Sequence, residues 1–339
     1  MLNIGILGAG TWGMSIAKML SETGKNVQVW SALPQEIEFI RENKKHPNLK
    51  NIIIPNEITY TINIEELCKN KDIIVFVVPS TFVRSTAKAA KNFVPKNQII
   101  VDLAKGLESN SLLTMTEVIE NELHALSPRL VALSGPTHAE ELALRLPTTI
   151  VAASKDLKAA QFTQNVFSSP YMRVYTNDDV KGIEISAALK NVIAIAAGIS
   201  TGLGYGDNAK AALITRGMAE ITRLGLKLGG KVSTFTSLAG IGDLIVTCTS
   251  QHSRNNKAGF LLGKGYTVEN AVKEVGMVVE GLNALPAAIE MANKYKVDMP
   301  ICETVYSIVN GEISPKNAVD ILMGREPKHE YQGDFNSSF

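Results

Sequence analysis

The chain has 339 residues, length enough for about two domains with sizeable hydrophobic cores. Apolar residues make up 45% and charged residues 20%, which argues against a disordered chain; 34 Lys and Arg against 33 Asp and Glu leave no strong overall field, so a general nucleic-acid binder is disfavoured. Three cysteines, Cys68, Cys248 and Cys302, form an odd set without C-x-x-C spacing, so neither a disulfide framework nor a cysteine-rich metal site is expected and a reducing cytoplasmic setting fits.

Asn3–Leu7 (NIGIL) is a short β-favouring run stopped by glycine, Thr11–Glu22 reads as a helix, and Asn26–Trp30 (NVQVW) turns apolar again, making one βαβ unit. Further buried-strand candidates follow at Asp72–Val78, Gln98–Leu103, Arg129–Leu133, Thr148–Ala152 and Met172–Tyr175, several separated by helix-length stretches. This alternation predicts a mainly parallel, doubly wound α/β sheet of the Rossmann type. From about Asp178 the texture becomes helical, with candidate helices over Asp178–Ser200, Asn208–Lys227, Asn255–Lys264, Thr267–Val275, Gly281–Lys294, Pro300–Asn310 and Pro315–Met323. The expected organisation is a dinucleotide-binding domain over 1–180, an all-α substrate domain over 181–325 and a polar tail over 326–339. No uninterrupted apolar run approaches roughly 18 residues and no basic leader precedes the first strand, so neither a membrane span nor a signal peptide is expected.

Gly8-Ala9-Gly10-Thr11-Trp12-Gly13 matches G-x-G-x-x-G between a predicted strand and a predicted helix, the context this fingerprint requires. Gly8 permits the tight turn, Gly10 lets backbone approach a pyrophosphate, and Gly13 lets the helix lie close on the strand. Ordinary turn glycines are the competing reading. The pattern usually adds an Asp or Glu about 20 residues onward to hold the ribose 2′-OH, yet the second strand ends Trp30-Ser31-Ala32-Leu33. With no carboxylate there to repel a 2′-phosphate and no arginine to attract one, FAD and strict NAD selectivity are both disfavoured, and NADH and NADPH both stay open.

Between Glu184 and Asp207 the only charged residue is Lys190, inside a run apolar on nearly every face. A buried lysine loses hydration and can serve as acid and base near neutral pH; a lysine snorkelling from a half-exposed face is the alternative. Asp243 is likewise the sole carboxylate in Ser237–Ser250, and we expect it to meet Lys190, although it would also serve as a helix N-cap. The partner raises the lysine's proton affinity and burial lowers it, leaving the net direction open. Lys105 follows one strand and Ser134-Gly135-Pro136-Thr137-His138-Ala139 follows another, both at carboxyl ends where ligands of open parallel sheets sit. Ser253-Arg254-Asn255-Asn256 offers a guanidinium fork and polar groups at a helix start, suited to a phosphate. No two histidines have metal-ligand spacing, and G-x-S-x-G and P-loop patterns are missing, so no metal, hydrolase or NTPase chemistry is expected.

Seven ordered blocks make the chain resemble the bacterial-type NAD(P)-dependent glycerol-3-phosphate dehydrogenases: GAGTWG at Gly8–Gly13, AKGLE at Ala104–Glu108, LSGPTHAEE at Leu133–Glu141, ALKNVIAIAAG at Ala188–Gly198, AGIGDLIVTCTS at Ala239–Ser250, SRN at Ser253–Asn255 and VVEG at Val278–Gly281. The resemblance implies reversible reduction of dihydroxyacetone phosphate to sn-glycerol 3-phosphate, feeding glycerophospholipid synthesis in the cytoplasm. It implies Lys190 as proton donor and acceptor, with Asp243 and Lys105 beside it. It further implies a substrate site lined by Lys105, Gly135, Thr137, Asp243, Ser253, Arg254 and Asn255, with Asn191 and Thr247 as supporting polar groups. Toward the cofactor it implies Thr11, Trp12, Lys105, Ala139, Arg254, Val278 and Glu280, alongside Gly8, Gly10 and Gly13. Many relatives carry an arginine after the tryptophan, where this chain has Ser31-Ala32-Leu33, and that departure unsettles cofactor preference. A homodimer is the expected assembly, without stable membrane insertion or nucleic acid. A dehydrogenase for another small hydroxy or keto acid, and a cofactor-sensing protein without catalysis, are the rivals.

Overall fold

In the computed structural model, which describes residues 1–327, 329 and 330, the first half of the chain forms one eight-stranded sheet and the second half is helical. The strands are β1 (Asn3–Leu7), β2 (Asn26–Trp30), β3 (Thr59–Thr61), β4 (Ile73–Phe76), β5 (Ile99–Asp102), β6 (Arg129–Ser134), β7 (Thr148–Ala153) and β8 (Met172–Asn177). Their order is β3-β2-β1-β4-β5-β6-β7-β8. Every neighbouring pair is parallel except β6 with β7, where Leu133 faces Ala152. The link between them, residues 135–147, holds only the five-residue helix Ala139–Ala143 and returns the chain antiparallel to β6.

The chain runs outward from β1 to β2 and β3, then crosses back to β4 on the other side of β1. The connections leaving β1 and β4 therefore diverge, opening a crevice at the carboxyl ends of these strands. The Ile- and Val-rich β4 and β5 are buried along their whole length, as strands covered by helices on both faces must be.

The helical half is built around Val180–Gly202, of which the N-cap, Asp179, accepts a hydrogen bond from Gly182 N (2.8 Å). This helix is long and apolar enough to cross a membrane, but its most apolar 18-residue window is 100% buried, so its hydrophobicity serves protein packing. Against it lies Arg254–Gly263 at backbone contact: a Cβ on Gly259 would stand 2.0 Å from the Ile195 carbonyl oxygen, and one on Gly198 would stand 2.1 Å from that of Asn256. Only glycine allows this approach, which brings the start of the second helix beside Lys190. Buried Glu184 ties the central helix to Met115–Leu123 beneath the sheet, accepting hydrogen bonds from Thr114 Oγ1 (2.9 Å), Thr116 N (2.8 Å) and Thr116 Oγ1 (2.5 Å). The polar tail expected over 326–339 lies outside the described residues at 328 and from 331 onward.

Candidate active site

The loop after β1 is shaped by two glycines and left open at the third. Gly8 has φ +127°, and a Cβ on it would meet the Val77 carbonyl carbon at 2.9 Å. A Cβ on Gly13 would come within 2.1 Å of the Gly8 oxygen, whereas one on Gly10 would meet no heavy atom within 4 Å. Backbone at Gly10 is thus accessible to a bulky ligand. Gly10 caps the helix Thr11–Glu22 without any side-chain hydrogen bond, so the first-turn N–H groups and their positive dipole end face the crevice. Thr11 Oγ1 is buried there with no hydrogen-bond partner among the described residues. An open glycine, unengaged amides and an orphaned hydroxyl fit the pyrophosphate of a dinucleotide. Trp12 packs half-buried against the sheet core, and the Ala139 carbonyl accepts a hydrogen bond from Ser15 Oγ (2.8 Å).

Across the crevice, Glu280 begins the helix Glu280–Tyr295 and receives Ser80 N (3.0 Å) and Ser80 Oγ from the loop after β4. This pair joins the helical half to the sheet's carboxyl edge, and Val278, two residues before Glu280, is half-buried. Sequence reading did not single out Ser80, because nothing in its surroundings marks a serine as the partner of a residue 200 positions away.

At the same edge the separated charges converge. Lys190 is 4% exposed and donates to Asp243 Oδ1 (2.7 Å) and Thr247 Oγ1 (2.5 Å). Asp243 has no exposed surface, and its other oxygen accepts from Lys105 Nζ (2.9 Å). One buried carboxylate therefore links two ammonium groups, one from the central helix and one from the loop after β5. Asp243 is the first residue of its helix, Asp243–Thr249; the N-cap is Gly242 and the Asp243 side chain makes no cap, so that alternative falls. Burial pulls the Lys190 ammonium down to about 8; Asp243 opposes the shift and the positive charge of Lys105 adds to it. The direction left open by the sequence is downward, because desolvation outweighs the partner.

Lys105 Nζ also donates to the Gly135 carbonyl (3.0 Å), which accepts Thr137 Oγ1 (3.1 Å) as well. Thr247 Oγ1 donates to the Asp243 carbonyl (2.6 Å), so this hydroxyl is aligned to receive Lys190. Asn255 Nδ2 donates to Asn191 Oδ1 (3.0 Å), and Asn255 Oδ1 accepts from Gly281 N (2.8 Å). These two amides connect three helices, which accounts for their burial. Ser253 caps the helix Arg254–Gly263 by accepting from Asn256 N (3.2 Å). Arg254, in the first turn of that helix, is exposed, and among the described residues its guanidinium has no protein partner.

The surroundings of two further residues emerge only in three dimensions. His138 stacks at a tilt beside His252, 5.7 Å between ring centres, and its Nε2 is buried without a hydrogen-bond partner among the described residues. Burial, then the charges of Lys190 and Lys105, hold its imidazole down at about 4, so it is neutral at pH 7. The second is Glu36. The end of β2 reads without a carboxylate in sequence, but Ser31 Oγ donates to Glu36 Oε2 (2.6 Å), drawing a carboxylate from the first turn of Pro34–Asn43 back to that strand end.

Two family models cover the chain. Residues 3–160 match the NAD-dependent glycerol-3-phosphate dehydrogenase N-terminus, and residues 179–320 match its C-terminus. The chain belongs to the NAD-dependent glycerol-3-phosphate dehydrogenase family. Among relatives of this dehydrogenase, glycerol-3-phosphate dehydrogenase [NAD(P)+] 2 of Lactobacillus delbrueckii subsp. bulgaricus is 58% identical over 97% of this chain and 99% of its own. The glycerol-3-phosphate dehydrogenase [NAD(P)+] of Bacillus subtilis is 46% identical over 99% and 98%. The crystal structure of glycerol-3-phosphate dehydrogenase from Coxiella burnetii superposes with a TM-score of 0.92 at 34% identity, covering 96% of this chain and 99% of that one.

Proposed function

We propose that this glycerol-3-phosphate dehydrogenase reduces dihydroxyacetone phosphate to sn-glycerol 3-phosphate, with NAD(P)H as hydride donor and Lys190 as proton donor. The observation that carries this reading is the buried Lys190–Asp243–Lys105 bridge at the crevice where the glycine loop opens. The first-turn amides of Thr11–Glu22, Thr11 Oγ1 and the Gly10 backbone would hold the pyrophosphate, while Trp12, Ala139, Val278 and Glu280 would border the rest of the cofactor. When bound, the reduced nicotinamide supplies the hydride to the ketone carbon.

The substrate oxygen gains negative charge as that carbon is reduced and needs a nearby cation and then a proton. Lys190, pulled to about 8 by burial, has an acidity near working pH and supplies both. In the reverse direction its neutral amine accepts the hydroxyl proton. Asp243 and Thr247 fix the amine's position, and Lys105 holds the reacting end against the Gly135 carbonyl. Arg254, with Asn255 and the amides behind Ser253, takes the phosphate, whose binding energy orients the ketone. Residues 1–180 would thus carry the cofactor, and 181–325 most of the substrate site.

Three buried, free cysteines support a reducing cytoplasmic setting, where the product supplies glycerophospholipid synthesis. Light scattering distinguishes the expected homodimer from a monomer. The functional test is a substrate panel, reading loss of the reduced nicotinamide and identifying the product. Turnover restricted to dihydroxyacetone phosphate among small ketones and keto acids is expected; equal turnover of an unphosphorylated keto acid contradicts the assignment.

A further inference from the structure

At the adenosine side of the crevice the structure supplies an element that the strand ending in Trp30-Ser31 lacks in sequence. β1 and β2 pair in register to Leu7 and Trp30, and Gly8 N donates to the Trp30 carbonyl (2.9 Å), so the glycine loop and the end of β2 lie side by side. Ser31, 4% exposed, is held as a two-way connector: its Oγ accepts from Leu33 N (3.1 Å) and donates to Glu36 Oε2 (2.6 Å). Pro34 starts the helix that follows, and Glu36 sits in its first turn. Among the described residues Glu36 has no ion-pair partner, so its carboxylate is not neutralised by a neighbouring lysine or arginine.

His46 locates this carboxylate relative to the glycine loop. Its buried ring accepts Asn48 N on Nδ1 (3.2 Å) and lies within electrostatic reach of both the Ala9 backbone and Glu36. Burial holds the imidazole below its usual pKa, so it brings no positive charge at neutral pH. Arg41, in the last turn of Pro34–Asn43, donates instead to the Tyr60 carbonyl (2.7 Å). The wall beside Ala9 therefore presents an anchored carboxylate and a neutral ring. In a fold of this kind, an acceptor at the end of the second strand receives the ribose hydroxyls, and the 2′-phosphate requires a cation at the same place.

We propose that Glu36, anchored by Ser31, accepts the adenosine ribose hydroxyls of NADH and disfavours the 2′-phosphate of NADPH, making this enzyme NADH-preferring. The proposal rests on the dinucleotide seat described above. A carboxylate disfavours NADPH twice: it faces a group carrying about −1.5 to −2 charges, and it loses the hydroxyl that it would accept from. The departure from an arginine after the tryptophan then has a physical counterpart, since the cation is absent and an anion reaches the same strand end from five residues further on.

The test measures equilibrium binding of NADH, NADPH and NADH lacking the adenosine 2′-hydroxyl to the wild-type chain and to Glu36→Gln, by calorimetry. Wild type is expected to bind NADH at least about tenfold tighter than NADPH, and the deoxy analogue about fivefold or more weaker than NADH. Glu36→Gln should reduce the NADH-to-NADPH ratio at least about fivefold, mostly by tightening NADPH. Equal wild-type affinity for the two cofactors overturns the proposal, as does a ratio unmoved by Glu36→Gln. Where the variant does not fold, the three wild-type affinities still test the preference and the part played by the 2′-hydroxyl, and Glu36→Asp, which keeps the charge but shortens its reach, supplies the second variant. Failure of both reduced cofactors to bind overturns the dinucleotide seat as well, whereas tight but equal binding overturns only the role of Glu36.

Discussion

Asp243 holds the two ammonium groups at 2.7 Å and 2.9 Å, so Asp243→Asn removes the one negative charge between two buried or half-buried cations. For charge centres about 4 Å apart at an effective dielectric of about 20, the lost attraction on Lys190 is ~4 kcal/mol, an upper limit near 3 pKa units at ~1.36 kcal/mol per unit. Water entering the site screens part of this, and we expect a downward shift of at least about 1 unit from the wild-type value of about 8. With Lys190 as the proposed proton donor, reduction requires the protonated amine, so kcat/KM for dihydroxyacetone phosphate should fall as pH rises through this pKa, and Asp243→Asn should move the fall to lower pH. Lys105→Met has the opposite sign: it removes a positive charge that depresses Lys190, so the fall moves to higher pH. Glycerol 3-phosphate oxidation, which needs the neutral amine, should rise through the same shifted pKa values. The assay is the pH profile in both directions with saturating cofactor. Limbs that stay in place in both variants, or that move in the same direction, refute the electrostatic account.

Arg254→Ala should raise KM for dihydroxyacetone phosphate at least about tenfold, as expected for loss of a charged hydrogen bond worth about 1.5–3 kcal/mol; an unphosphorylated ketone should be insensitive, and equal losses would remove the phosphate role. Gly259→Ala places a methyl group 2.0 Å from the Ile195 carbonyl oxygen, so thermal unfolding should show a loss of about 1–3 kcal/mol; an unchanged Tm contradicts the backbone contact. Glu220, buried where it accepts Ile301 N (2.7 Å) and Cys302 N (3.2 Å), is pushed up by burial to about 7 from 4.5. The folded protein therefore binds more protons than the unfolded chain between pH 4.5 and about 7, and stability contributed at this site falls as pH rises through that window. Glu220→Gln should gain roughly 2–4 kcal/mol relative to wild type between the two ends of the window; a pH-independent difference excludes the buried acid as its source.

The elements with strong local periodicity were legible in the sequence. NIGIL and NVQVW form β1 and β2 over the expected residues, and Pro315–Met323 forms the expected helix. The three-residue β3 carries too little pattern to register, and the direction of β7 depends on the short link before it. Lys190 and Asp243 were conspicuous because each interrupts an apolar run, and the fold brings them together across 53 positions. Lys105 is placed beside them only through the family resemblance; that it shares the same carboxylate comes from the fold, since its partner lies 138 residues away. Glu36 escaped because a search at a fixed offset from the glycines ends at the strand, whereas Ser31 reaches forward into the next helix. His138 is named only as part of the strand-end segment Ser134–Ala139, because its environment, two lysines and a second histidine, is assembled from distant segments.

The proton-transfer assignment is tested most directly by single-turnover reduction with Lys190→Ala, monitored alongside calorimetric cofactor binding. Loss of at least about a hundredfold in the chemical step, with cofactor affinity within about threefold of wild type, is the predicted result. A near-normal single-turnover rate in that variant would contradict the assignment of Lys190 as proton donor.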